Sequence, residues 1–98
     1  MAATVMDLEI WVEGQAEPIQ VRADQRDMAA FELEYKMGTS NALENAQMVF
    51  FRYIGWHAAR RTGKILQDVG RDAWLDKVIG VEPVDDEEQE AGPTNPAA

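Results

Sequence analysis

The chain has 98 residues, a formal net charge of -9, one histidine and no cysteine. That length holds one small domain. The missing cysteines exclude a disulfide framework, a thiolate nucleophile and a thiolate metal site. The acidic balance speaks against nucleic acid as a partner, because phosphate binding rests on cationic side chains.

The N-terminus, MAATVMDLEI, has neither the basic flank nor the apolar core of a signal peptide. No apolar stretch approaches the roughly 20 residues that span a bilayer. The sequence therefore predicts a cytoplasmic protein with no membrane partner.

Met6 to Val12 reads MDLEIWV, with Met6, Leu8, Ile10 and Val12 alternating against Asp7, Glu9 and Trp11. That period of two is the pattern of a half-buried strand. Gly14 marks a turn, and Ile19 and Val21 alternate against Gln20 and Arg22 in a second strand opened by Pro18. The two form a hairpin, which needs a helix or further strand to lean on. Trp11 falls on the face opposite the main apolar row, so it either packs under a loop or marks a contact surface.

Asp24 is placed to cap a first helix, with Asp27 at the third position and Met28, Phe31 and Tyr35 as its apolar stripe. The helix is expected to stop at Gly38. Ser40 or Asn41 would cap a second, with Asn41 and Glu44 at capping-box spacing. This helix is expected to run through LENAQMVFFRYIGWHAARRT to Gly63, with Arg60, Arg61 and Lys64 at its negative dipole end. It is apolar nearly all round and must be covered nearly all round, either by core on one side and an oligomer contact on another or entirely by its own chain. A third, shorter helix is expected over about Gly70 to Ile79, ended by Gly80 and Pro83.

The charge is uneven. Residues 1–81 carry 9 basic and 12 acidic side chains, whereas 82–98 carry six acidic ones and three of the four prolines. From Asp85 onward there is no large apolar residue, so the segment cannot bury enough surface to offset its ordering entropy. The expected organisation is an α+β, mainly helical domain at 1–81 and a disordered acidic tail at 82–98.

No reactive constellation stands out. There is no phosphate-cradling glycine motif and no G-x-S-x-G. Ser40, the sole serine, suits a helix cap. His57 has no carboxylate or nucleophile near it in sequence, as a catalytic histidine requires. The acidic run at 85–90 lacks the spacing of a calcium loop. No catalytic residue, metal site or cofactor is expected. The clustered cations Arg52, Arg60, Arg61 and Lys64 either complement the helix dipole or anchor an acidic partner, and arginine beside aromatics is common at interfaces.

The order of these pieces resembles the small tail assembly chaperones of long-tailed bacteriophages, especially those infecting actinobacteria. The segments that carry the resemblance are VRADQRDMAAFE after the hairpin, the helix VFFRYIGWHAARRTGKI, then RDAWLDKVIGVEPV before the acidic run. FRYIGWHAARRTG, from Phe51 to Gly63, is the most specific piece. MGTSNAL departs from the longer basic link carried by many members. The resemblance covers residues 6–90. It implies a non-enzyme that binds the phage tape measure protein, keeps it soluble and recruits tail tube protein in the host cytoplasm. Such a protein is absent from the mature virion. Phe51, Trp56, Arg60 and Arg61 are then expected at a self- or client-contact face. The other readings are a structural virion component and an acidic inhibitor of a host factor.

Overall fold

The computed structural model describes residues 4–84; the acidic run that begins at Asp85 lies outside them, and so does the disorder expected for it. The chain forms β1 (Val5–Val12), β2 (Ile19–Asp24), α1 (Gln25–Tyr35), α2 (Thr39–Asn45), α3 (Gln47–Arg61), α4 (Arg71–Leu75) and β3 (Val78–Pro83). This is the α+β fold with an N-terminal hairpin that the residue patterns predict.

The strands make an antiparallel sheet in the order β2-β1-β3. Leu8 pairs with Val21 and Ile10 with Ile19 on one side of β1. Leu8 faces Pro83 and Ile10 faces Val81 on the other, with an irregularity between Trp11 and Val12. Leu8 and Ile10 are completely buried and Val12 nearly so, as the period of two requires. The opposite face carries Asp7, Glu9 and Trp11, and Trp11 keeps 38% of its surface exposed beside Gly80. It is an open sheet face rather than a residue tucked under a loop.

Helix α3 lies against the apolar side of the sheet, and Gly55 is the point of closest approach. A Cβ at that position would meet Val81 Cγ1 at 3.0 Å and Ile10 Cδ1 at 3.4 Å. Glycine weakens a helix interior, but here its missing side chain lets helix and sheet pack backbone to side chain. Phe50, Ile54, Ala58 and Ala59 are also fully buried on α3. Helices α1 and α2 cover its other flank, where Phe31 meets Phe50 edge to face at 4.9 Å and Tyr53 at 5.8 Å. The chain itself thus covers most of α3. Its first turn is the exception, with Met48 79% exposed and Val49 44%.

Helix α1 starts as the sequence predicts. The Asp24 carboxylate accepts from the Arg26 N–H at 2.9 Å, and the Asp27 carboxylate accepts from the Asp24 N–H at 2.8 Å. This is a reciprocal capping box with aspartate at the third position. Gly63, φ 80°, follows α3 in the left-handed conformation expected of it.

Several boundaries differ from expectation. Helix α1 ends at Tyr35, before Gly38, because Lys36 turns left-handed at φ 56°. The expected second helix is two helices: Ala46, at φ -147° and ψ 47°, closes α2 through its N–H and opens α3 through its carbonyl. Alanine is the best helix former, so packing decides this break, which lets Ala42 and Phe50 both be fully buried.

The Asn41–Glu44 capping box does not form. Gly38 is the N-cap of α2 without a side-chain bond, and the Thr39 N–H and hydroxyl both donate to Glu32 at 2.9 Å. The third helix stops at Leu75, and Val78 and Ile79 belong to β3. These β-branched residues suit a strand, and the free edge of β1 offers the N–H and C=O groups that a strand can pair. Because β3 includes Glu82 and Pro83, the folded part extends past the expected boundary at 81.

Candidate interaction surface

The four residues expected at a contact face fall into different environments. Phe51 and Trp56 are each 8% exposed and belong to the core. Trp56 packs against Tyr53 at 5.7 Å, and the Arg60 guanidinium lies 5.3 Å from its ring. Arg60 also donates through Nε to the Gln67 carbonyl at 2.7 Å, while the Gln67 amide donates to the Arg60 carbonyl. This reciprocal pair clasps the segment after α3 onto its last turn.

Arg61 is drawn inward by Asp27. The Asp27 side chain has no solvent exposure, and its oxygens accept from Arg61 Nη2 at 2.8 Å and Nε at 3.1 Å. His57 Nδ1 lies 2.6 Å from the same carboxylate. A buried carboxylate must be paired and hydrogen-bonded to be tolerated. Asp27 meets that need with Arg61, His57 and the Asp24 N–H, and so ties the start of α1 to the end of α3. The Asp27 carboxylate also raises the proton affinity of Arg61 further. The capping role of Asp27 is legible in the sequence; its bond to His57, 30 residues away, is not. Among the described residues, no group of three or more His, Asp or Glu side chains is placed to hold a metal ion.

The exposed apolar side chains that belong to α3 itself, Met48 and Val49, lie at its other end. A groove of about 340 Å³ runs between α1, α3 and α4, where Tyr35, Met48, Val49, Tyr53 and Leu75 share the lining with the charged Arg52, Arg71, Asp72 and Asp76. Tyr35 and Tyr53 meet edge to face at 5.6 Å. Burial, with Glu34 nearby, pushes the Tyr53 phenol up from its ordinary pKa, so it stays neutral through the physiological range. Arg71 lies 5.9 Å from the Tyr35 ring and 5.7 Å from the Tyr53 ring, and it pairs with Glu34 at 3.3 Å and Asp72 at 3.1 Å.

Arg52 holds the far wall. Its guanidinium donates to the Leu75 carbonyl at 2.6 Å and the Val78 carbonyl at 3.1 Å, fixing the turn from α4 into β3. The cluster at Arg52, Arg60, Arg61 and Lys64 is thus divided, with Arg52 at the groove and the other three at the C-terminal end of α3.

The groove therefore combines two tyrosine rings set edge to face, the Arg71 cation close to both, and a rim where apolar and charged side chains alternate. Methionine adapts to irregular apolar partners, and an open groove of this kind accepts one face of an amphipathic helix. The density of apolar residues on α3 signals such a surface in sequence. Only the tertiary fold selects Met48 and Val49 from that set by burying the rest. Among the described residues, no helix is long and apolar enough to cross a membrane.

No protein-family model, curated protein or solved structure matches this chain.

Proposed function

We propose that this chain is a bacteriophage tail assembly chaperone that binds the tape measure protein and keeps it soluble until tail tube protein assembles around it. It acts by binding rather than by catalysis, in the host cytoplasm, and is not retained in the virion. The observation that carries this reading is the groove beside the first turn of α3, where Tyr35, Met48 and Val49 leave apolar surface exposed. A long helical client presents apolar residues at i, i+3, i+4 and i+7, and such a groove takes up that stripe. The acidic surface keeps the loaded complex in solution. The similarity of FRYIGWHAARRTG and the residues around it to the chaperone family points the same way. Phe51 and Trp56 then act as packed support for the contact face, and Arg60 and Arg61 contribute charge at its distal end. Self-association can use the same groove in the absence of client.

Co-expression with the tape measure protein tests this. The client is expected to become soluble and to co-elute with this chain on a sizing column. Met48→Glu combined with Val49→Glu should abolish co-elution while leaving the thermal midpoint almost unchanged, because both side chains are exposed. Failure to rescue the client, together with recovery of this chain in purified particles, would favour a structural virion role.

A further inference from the structure

The sheet has a second face, turned away from α3. Two cross-strand pairs form a square on it. Trp11 stands opposite Gly80, and Glu9 stands opposite Glu82. The Trp11, Glu9 and Glu82 side chains point outward, because Leu8, Ile10, Val12 and Val81 alternate with them into the core. Two residues of strand separate the pairs, about 7 Å. The Trp11 pair is a notch. A Cβ at Gly80 would meet nothing within 4 Å, so the space beside the indole is open. Trp11 is 38% exposed, and Ile79, next to Gly80 in the chain, is 72% exposed. Tryptophan beside an open pocket is a frequent anchor of protein interfaces.

The other pair sets two like charges face to face. Directly opposed residues bring their Cβ atoms to about 5 Å, where like charges are destabilising. The cations nearby are engaged or set apart. Arg22 pairs with Asp7 at 2.7 Å, Lys64 lines one cavity with Glu9, and the Lys77 carbonyl accepts from the Glu13 N–H beyond Trp11. Among the described residues, neither Lys64 nor Lys77 forms an ion pair with Glu9 or Glu82. The square thus offers an open apolar notch and, one step along the strands, a place for a cation.

We infer that this face docks an extended segment of a partner protein that carries a lysine or arginine two residues from an apolar side chain. The apolar side chain fills the notch over Gly80 against Trp11. The cation lies between Glu9 and Glu82 and relieves their repulsion. Charge complementarity selects this occupant: the two carboxylates repel acidic segments, and the net charge of -9 draws basic ones in. A second copy docked about a two-fold axis through the square would bring four carboxylates together. The inference does not rest on the function proposed above, because the groove opens among the helices and this face lies on the other side of the sheet.

The test is an amide NMR titration of the full chain at low salt with the end-blocked peptide Lys-Thr-Leu-Thr-Lys. The amides of Glu9, Trp11, Gly80 and Glu82 are expected to shift together while those of Met48 and Val49 stay in place. Gly80→Val fills the notch without a clash, so it should abolish the shifts and keep the urea midpoint. Glu9→Gln combined with Glu82→Gln should weaken binding about fivefold, the loss of two exposed ion pairs, and should not lower the midpoint. The same peptide with glutamate for lysine should not bind. Absent shifts, or shifts spread to Glu34 and Asp72, would overturn the inference. So would binding that survives the double glutamine variant unchanged. Concentration-dependent shifts of the same four amides without peptide would show a second copy on this face and overturn it as well.

Discussion

Asp27 shows how one side chain takes on two structural tasks. It completes the capping box of α1 and neutralises Arg61 across the molecule, with His57 as a third partner. Removing one member of a buried ion pair strands the other. Asp27→Ala is expected to cost about 3 kcal/mol, the low end for such a loss because Arg61 retains some solvent contact. A urea titration measures this. Arg61→Glu would set a carboxylate against Asp27, so a loss of binding in that variant would report misfolding; Arg60→Glu is the cleaner probe of the contact face.

Asp24 gives a pH signature. Hydrogen bonding from the Arg26 side chain holds its carboxyl at about 2 in the folded chain, against 3.8 ordinarily. A depressed carboxyl contributes stability above its unfolded pKa and loses it as pH falls through the folded one. The gap in urea midpoint between wild type and Asp24→Asn should therefore be full at pH 5 and shrink between pH 4 and 2. A gap independent of pH would confine the role of Asp24 to an uncharged cap.

At the scale of elements, the seam between α3 and the sheet depends on Gly55. Its place in a helix is unfavourable by propensity, and its value lies in the 3.0 Å and 3.4 Å spaces toward Val81 and Ile10. Gly55→Val forces a Cβ and two methyl groups into that seam and is expected to lower stability by about 1–3 kcal/mol, the usual range for overpacking. Differential scanning calorimetry would register the drop. The break at Ala46 works in the opposite sense. It divides one helical sequence in two, and the first turn of α3 after it presents Met48 and Val49 to solvent.

For the molecule as a whole, the sheet order makes β1 the central strand, paired on both edges. A strand hydrogen-bonded on both sides against a buried helix belongs to the most cooperative part of a fold. Amide exchange is expected to be slowest in β1 and in α3 from Phe50 to Ala59. It should be faster in α4, a five-residue helix with no buried side chain. Exchange in α4 as slow as in β1 would contradict that hierarchy. The layout also separates two surfaces. The groove lies beside the first turn of α3, and Arg60 and Arg61 lie at its last turn.

The sequence by itself determined the hairpin, the capped start of α1, the glycine end of α3 and the α+β class. These rest on local rules, namely alternation, capping chemistry and the conformational freedom of glycine. It also marked the α3 region as too apolar to stand alone. Only the tertiary structure decided which of those apolar residues stay exposed, because packing buries Phe51 and Trp56 and leaves Met48 and Val49. It likewise turned Val78 and Ile79 from a helix into β3, since the free edge of β1 made a pairing demand that local propensity alone does not reveal. The Asp27–His57–Arg61 cluster belongs to the same category. Its members lie 30 and 34 residues apart in sequence and meet only once α1 has packed on α3.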